Sequence, residues 1–150
     1  MSYLEMMNDI LNEQINNENI ELTYLGSTDF STVYNDKKHI ILSEKRKEIN
    51  GENIWIKAHE LGHCKTNSFV KDGKTEQYSY PVYEMIANIS ALSSLNLLFL
   101  ATGKYKNSYI KSIVESCGYP SIVYDWLMLI KKDQFCLKKR YLDKVIKISG

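Results

Sequence analysis

The twenty residues VYEMIANISALSSLNLLFLA, Val82 to Ala101, contain one charged side chain, Glu84. A run this apolar has to be buried, in lipid or in protein. Glu84, Asn88, Asn96 and several serines argue against a membrane span, so the segment reads as a buried helix. That helix is expected from near Pro81, a good first-turn residue, to about Ala101, before Gly103. Glu84 then becomes the problem to solve, because a carboxylate is expensive to bury in so apolar a helix unless a cation meets it.

A source for that cation lies upstream in AHELGHCKT, Ala58 to Thr66. On a helix each residue turns by about 100°, so His63 lies only about 40° round from His59 and one turn above it. Both imidazoles can reach one ion. Glu60 lies on the same side, placed to hold a water rather than to ligate, while Leu61 points the opposite way, toward a core. Ala58 and Gly62 share a flank where small size lets another backbone come close. This is what an H-E-x-x-H metal motif requires. A catalytic zinc takes three protein ligands and keeps one position open, and Glu84 is the candidate third ligand. Asn88, one turn on from Glu84, shares its face and suits a hydrogen bond to the second nitrogen of a ligating histidine. Ala87 lets the two helices pack closely.

Around these segments the chain reads as helix, small sheet, then helices, an α+β domain. SYLEMMNDILNEQI spaces Leu4, Met7, Leu11 and Ile15 as an amphipathic helix. IELTYLG and STVYNDKKHIILS look like short strands with a turn at YNDKK. NGEN, Asn50–Asn53, is a loop ending in an N-cap before the HELGH helix, and Asp72–Gly73 breaks the chain again. Further helices are expected at about Asn107–Cys117, Ser121–Lys132 and Phe135–Ile148. No repeat, low-complexity tract or linker divides residues 1–150, which read as one domain.

HELGH followed, twenty-one residues after its second histidine, by ExxAN resembles the ImmA/IrrE family of zinc metallopeptidases, of the gluzincin-like branch. The resemblance covers about thirty residues, Ala58 to Asn88. It implies a zincin-like fold, Zn2+ held by His59, His63 and Glu84, and Glu60 as general base. It also implies a small regulatory protease of a phage or mobile element that cleaves a helix-turn-helix repressor. ISALSS stands where many members continue with a Phe-Ala pair, and CKTNSF lacks the further histidine often found there. A tetrahedral oxyanion needs a donor besides zinc. Tyr78, Tyr80 and Tyr83 precede or flank Glu84, and Tyr80 is the choice among them. The HIIL strand, His39 to Leu42, offers an edge for pairing with an extended peptide. His39 itself reads as an exposed strand residue and Cys64 as a buried thiol.

Residues 1–30 carry six acidic and no basic side chains, whereas residues 104–150 carry ten basic against four acidic ones. This basic end is compatible with nucleic acid or an acidic partner, but so modest an excess reads as a solvated helical surface. SYIKSIVESCGYPSIVYDWLMLIKK has the outline of a helix-turn-helix, with Ile110, Ile113 and Val114 facing Val123, Trp126 and Leu127. Its second helix lacks outward Arg, Asn or Gln in the first turn, which speaks for packing rather than direct DNA binding. Three cysteines, odd in number and not spaced as pairs, and no secretory signal point to the cytoplasm. The competing function is a non-catalytic regulatory protein with a vestigial or structural zinc site, acting by contact with a repressor or DNA.

Overall fold

The computed structural model describes residues 1–69 and 80–132, with Tyr80 and Pro81 as backbone only. It is an α+β arrangement of a three-stranded mixed sheet and helices. Helix α1, Tyr3–Asn17, opens with a capping box in which Ser2 and Glu5 satisfy each other's backbone N–H groups. It buries Met7, Leu11 and Ile15, with Leu4 packed at the margin. The sheet follows as β1, Glu21–Tyr24, β2, Phe30–Tyr34, and β3, Lys37–Leu42. Asn35 and Asp36, with φ of 50° and 61°, form the two-residue turn between β2 and β3, a conformation that Asn and Asp tolerate.

Strand order is β1-β3-β2, with β3 parallel to β1 and antiparallel to β2. The HIIL strand therefore cannot offer an edge. It is central, paired on both sides and the most apolar of the three, with Ile40 and Leu42 fully buried. Among the described residues β1 and β2 are the outer strands, each paired on one side only. His39 stays at the sheet, its Nδ1 3.8 Å from a Glu21 carboxylate oxygen.

Helix α2, Gly51–Thr66, crosses the sheet and carries HELGH. Its N-cap is Asn50, whose side chain accepts from the Asn53 N–H, so the helix begins inside the segment expected to be a loop. Arg46 braces this start, bonding Asn53 Oδ1 at 3.0 Å and pairing with Asp29 at 3.1 Å. Helix α3, Tyr80–Ser94, packs along α2. Gln14 of α1 reaches both helices, donating to the Ser94 carbonyl and accepting from Lys65.

The apolar run does not form one helix to Ala101. It stops at Ser94, where Asn96 adopts φ 56° and the Leu97 N–H turns back to the Leu92 carbonyl. A short helix α4, Phe99–Thr102, follows. Burial of Leu95, Leu97, Leu98 and Leu100 across this corner explains why the sequence stays apolar while the helix ends. Helices α5, Asn107–Ser116, and α6, Ser121–Lys132, pack on each other, with Ile110, Val114, Val123 and Leu127 buried in the core and Ile113 and Trp126 partly buried against it. The α6 residues exposed in its first turn are Ser121, Ile122 and Asp125, none cationic. The helix expected at Phe135–Ile148, the break at Asp72–Gly73 and Cys136 lie outside the described residues. Among the described residues no helix is long and apolar enough to cross a membrane.

Lys57 projects from α2 toward α1 and β1, almost wholly buried, with its Nζ donating to Asn8 Oδ1 at 2.9 Å and Tyr24 Oη at 3.4 Å. Burial depresses its pKa to about 8, partly opposed by Asp9. Below pH 8 the folded and unfolded chains both carry this proton, and folding bears the full cost of burying the charge. Between pH 8 and the ordinary lysine value of 10.5 the unfolded chain holds a proton that the folded chain has released. Stability from this group therefore rises with pH across that window. Lys57→Met is expected to raise stability at pH 7 by on the order of 1–2 kcal/mol, allowing for solvent screening. The gain over wild type should shrink as pH climbs from 8 toward 10.5, which paired urea melts across that range would measure.

Candidate metal centre

The site is set where α2 and α3 touch. A Cβ on Gly62 would lie 2.4 Å from the Ala87 carbonyl oxygen, so only glycine permits this crossing. His59 and His63 flank Gly62 on one helix, and Glu84 and Asn88 flank Ala87 on the other. The helix contact therefore fixes the pairing of both motifs.

The three donor groups converge as a triangle. His59 Nε2 is 3.1 Å from His63 Nε2, Glu84 Oε2 is 2.9 Å from His59 Nε2, and Glu84 Oε1 is 3.3 Å from His63 Nε2. Ligand atoms bound to one tetrahedral zinc lie about 3.3 Å apart, as bonds of about 2.0–2.1 Å dictate. The triangle thus has the right size for a metal ion, and among the described residues these three form the cluster able to hold one.

The outer nitrogens agree with that reading. His63 Nδ1 is 2.6 Å from the Ser68 carbonyl, which can only accept, so Nδ1 carries the proton. His59 Nδ1 is 2.7 Å from Asn88 Oδ1 and donates in the same way. In neutral rings both Nε2 atoms then present bare lone pairs to one another and to a carboxylate, an arrangement that calls for positive charge at the centre. The two rings stand edge to face at 87°, so their lone pairs approach that centre from different directions. When a proton on Nε2 supplies that charge, hydrogen bonds from His59 and His63 hold the Glu84 carboxyl well below the usual carboxylate range, so it is an anion. Burial works against a charged His59, but the bond to Glu84 and the charges of Glu60 and Glu84 outweigh it and raise its pKa. The centre also lies by the last turn of α2, where the helix dipole favours a cation.

Glu60 stands apart from the triangle, mostly buried, and lines a cavity of about 300 Å³ together with His63, Glu84 and Phe30. Leu61 faces the core, fully buried. Burial pushes the Cys64 thiol up to about 12, against the pull of Lys38, which keeps it protonated and unreactive. Tyr83 is buried. Tyr78 and the side chain of Tyr80 lie outside the described residues.

Two residues at the site lie outside the two metal motifs. Ser68 reaches His63 because Asn67 turns left-handed after α2, at φ 53°, and folds the chain back under the ring. Thr66 braces that fold-back by bonding both the Gly62 carbonyl and Ser68 Oγ. An asparagine just past the last helical turn is a readable stop signal, so Ser68 could have been found. The other is Ser31 of β2, whose hydroxyl donates to Glu60; no local signal announces a contact across 29 positions.

The chain matches no protein-family model, no curated protein and no solved structure. The metal reading therefore rests on this geometry and is open to direct test. Protein stripped with a chelator and titrated with Zn2+ in a calorimeter is expected to bind one ion per chain. Asn88→Ala, which keeps all three ligands, should weaken binding by about 10–100-fold. Gly62→Ala, which forces the helices apart, should weaken it too, and cost about 1–3 kcal/mol of stability. Wild-type protein that fails to bind any divalent ion would remove the basis for the site.

Proposed function

We propose that the chain is a zinc-dependent metalloendopeptidase of the ImmA/IrrE type, with a zincin-like active site, whose substrate is a repressor-type transcription regulator. The observation that carries this is the position of Glu60. A structural zinc site is closed by four ligands and has no use for an acid–base group at its side. Here two members of a three-donor triangle, His63 and Glu84, line a cavity, and a second carboxylate outside the triangle, Glu60, lines the same cavity.

His59, His63 and Glu84 would hold the ion. When bound, zinc supplies a Lewis acid that makes a peptide carbonyl electron-poor and a water acidic at neutral pH. Glu60 would take the proton from that water and deliver it to the departing amine. Asn88 and the Ser68 carbonyl keep both imidazoles in the tautomer that leaves Nε2 free. Phe30 adds an apolar wall to the cavity, suited to a bulky side chain of an extended peptide. That peptide would lie along β2, since β3 has no open edge. The repressor as substrate and an origin in a phage or mobile element rest on the family resemblance, whereas Tyr80 as the oxyanion donor and a cytoplasmic location rest on sequence signals.

The test is cleavage. Zinc-loaded protein incubated with helix-turn-helix repressors should cut one of them, and a chelator should stop it. Glu60→Gln should retain zinc while cleavage falls by at least about a hundredfold. A Glu60→Gln protein that binds zinc and cuts as fast as wild type would rule out this base. Repressor binding that is indifferent to both chelator and Glu60→Gln, without cleavage, would favour the contact mechanism.

A further inference from the structure

We propose that Ser31 positions the Glu60 carboxylate and, because its own backbone lies on the substrate-binding edge, ties that carboxylate to the strand along which the peptide is laid. The inference deepens the peptidase reading and rests on it.

Three observations carry it. The first is register. The β2–β3 hairpin closes with a two-residue turn, and Tyr34 pairs with Lys37 directly beside it. In such a hairpin the pair flanking the turn is hydrogen-bonded and the pairs alternate from there. Tyr34, Thr32 and Phe30 therefore bond to β3, while Ser31 and Val33 direct their N–H and C=O groups away from it, to the side on which no described strand pairs.

The second is the cavity. Phe30, Ser31 and Thr32 all line it, although neighbouring side chains on a strand point to opposite faces. A lining that takes in three consecutive residues of an outer strand fits a cavity that runs along the strand's edge. The backbone groups that Ser31 offers for pairing thus open onto the space beside the metal donors.

The third is the side chain. Ser31 Oγ lies 2.7 Å from Glu60 Oε1 and 2.9 Å from the Glu60 backbone carbonyl. It has one proton to give to these two acceptors, and it is fixed between them at a half-buried position. Glu60 has three rotatable side-chain bonds, and a carboxylate that must meet a water within hydrogen-bonding reach gains from being held in one rotamer. Ser31 engages one oxygen and leaves Oε2 for the reacting water. A single residue thereby sets the distance between the peptide's rail and the base that acts on it.

The test compares full-length zinc-loaded wild type, Ser31→Ala and Ser31→Thr on the repressor cut in the cleavage assay, with calorimetric binding of leucine hydroxamate as a readout independent of turnover. Removing the hydroxyl leaves the edge backbone and the metal ligands in place. Ser31→Ala is therefore expected to lower kcat by about 10–100-fold with KM and zinc affinity within twofold of wild type. Leucine hydroxamate, whose acidic proton leans on the base carboxylate, should bind several-fold more weakly. Ser31→Thr, which keeps the hydroxyl, should recover most of the loss. If Ser31→Ala does not fold, Ser31→Cys, close in size but a much weaker donor, replaces it with the same expectation. A Ser31→Ala enzyme within twofold of wild type in kcat overturns this inference and leaves the peptidase reading intact. So does a defect that appears in KM or in zinc affinity instead. Wild-type protein that neither cleaves nor binds the hydroxamate in a zinc-dependent way overturns both.

Discussion

The contact of Gly62 with the Ala87 backbone is the constraint from which the rest of the site follows. Two helices that approach this closely have one register in which they fit, because any side chain at position 62 would strike a carbonyl. That register pairs the turn carrying His59 and His63 with the turn carrying Glu84 and Asn88. The four side chains meet at contacts of 2.7–3.3 Å. The polar groups so assembled would be costly one by one in such an apolar interior. Together they satisfy each other, except at the centre of the triangle, where positive charge is wanted.

Much of this was legible in the sequence because it is local. The 3.6-residue period places Leu61 inward and His59 with His63 on one face, and the same period joins Glu84 to Asn88. The amphipathic spacing of α1 is equally plain, and its buried residues are those the spacing selects. Small residues at 62 and 87 announce close packing before any coordinates do. The turn at Asn35–Asp36 follows from residues that accept positive φ.

What stayed hidden is non-local or turns on a single backbone choice. Strand composition does not reveal strand order, and HIIL is apolar because it is central, the opposite of an open edge. The end of α3 depends on Asn96 taking a left-handed conformation inside an unbroken apolar run, where hydrophobic periodicity reads straight through. The Ser31 contact with Glu60 joins a strand to a helix, and nothing near either residue encodes it. Ser68 lies between these cases: the Asn67 stop is readable, but its consequence for His63 appears only when the chain turns back.

These features make metal binding and folding one problem. The donors come from two helices, and the groups that aim them come from Asn88 on α3 and the segment after α2. An ion at the centre would therefore join α2 to α3 at the point where their backbones already meet, adding attraction where side-chain packing is thinnest. Binding of this kind stabilises the folded chain in proportion to the logarithm of free metal concentration. The same logic suits a carboxylate from the most apolar helix to the place of a third donor. It stands half-buried at the rim of the cavity, held as an anion between the two imidazoles, where a cation would meet all three donors. Glu84, the residue least at home in the run from Val82 to Ala101, is the one that gives that run a purpose beyond filling the core.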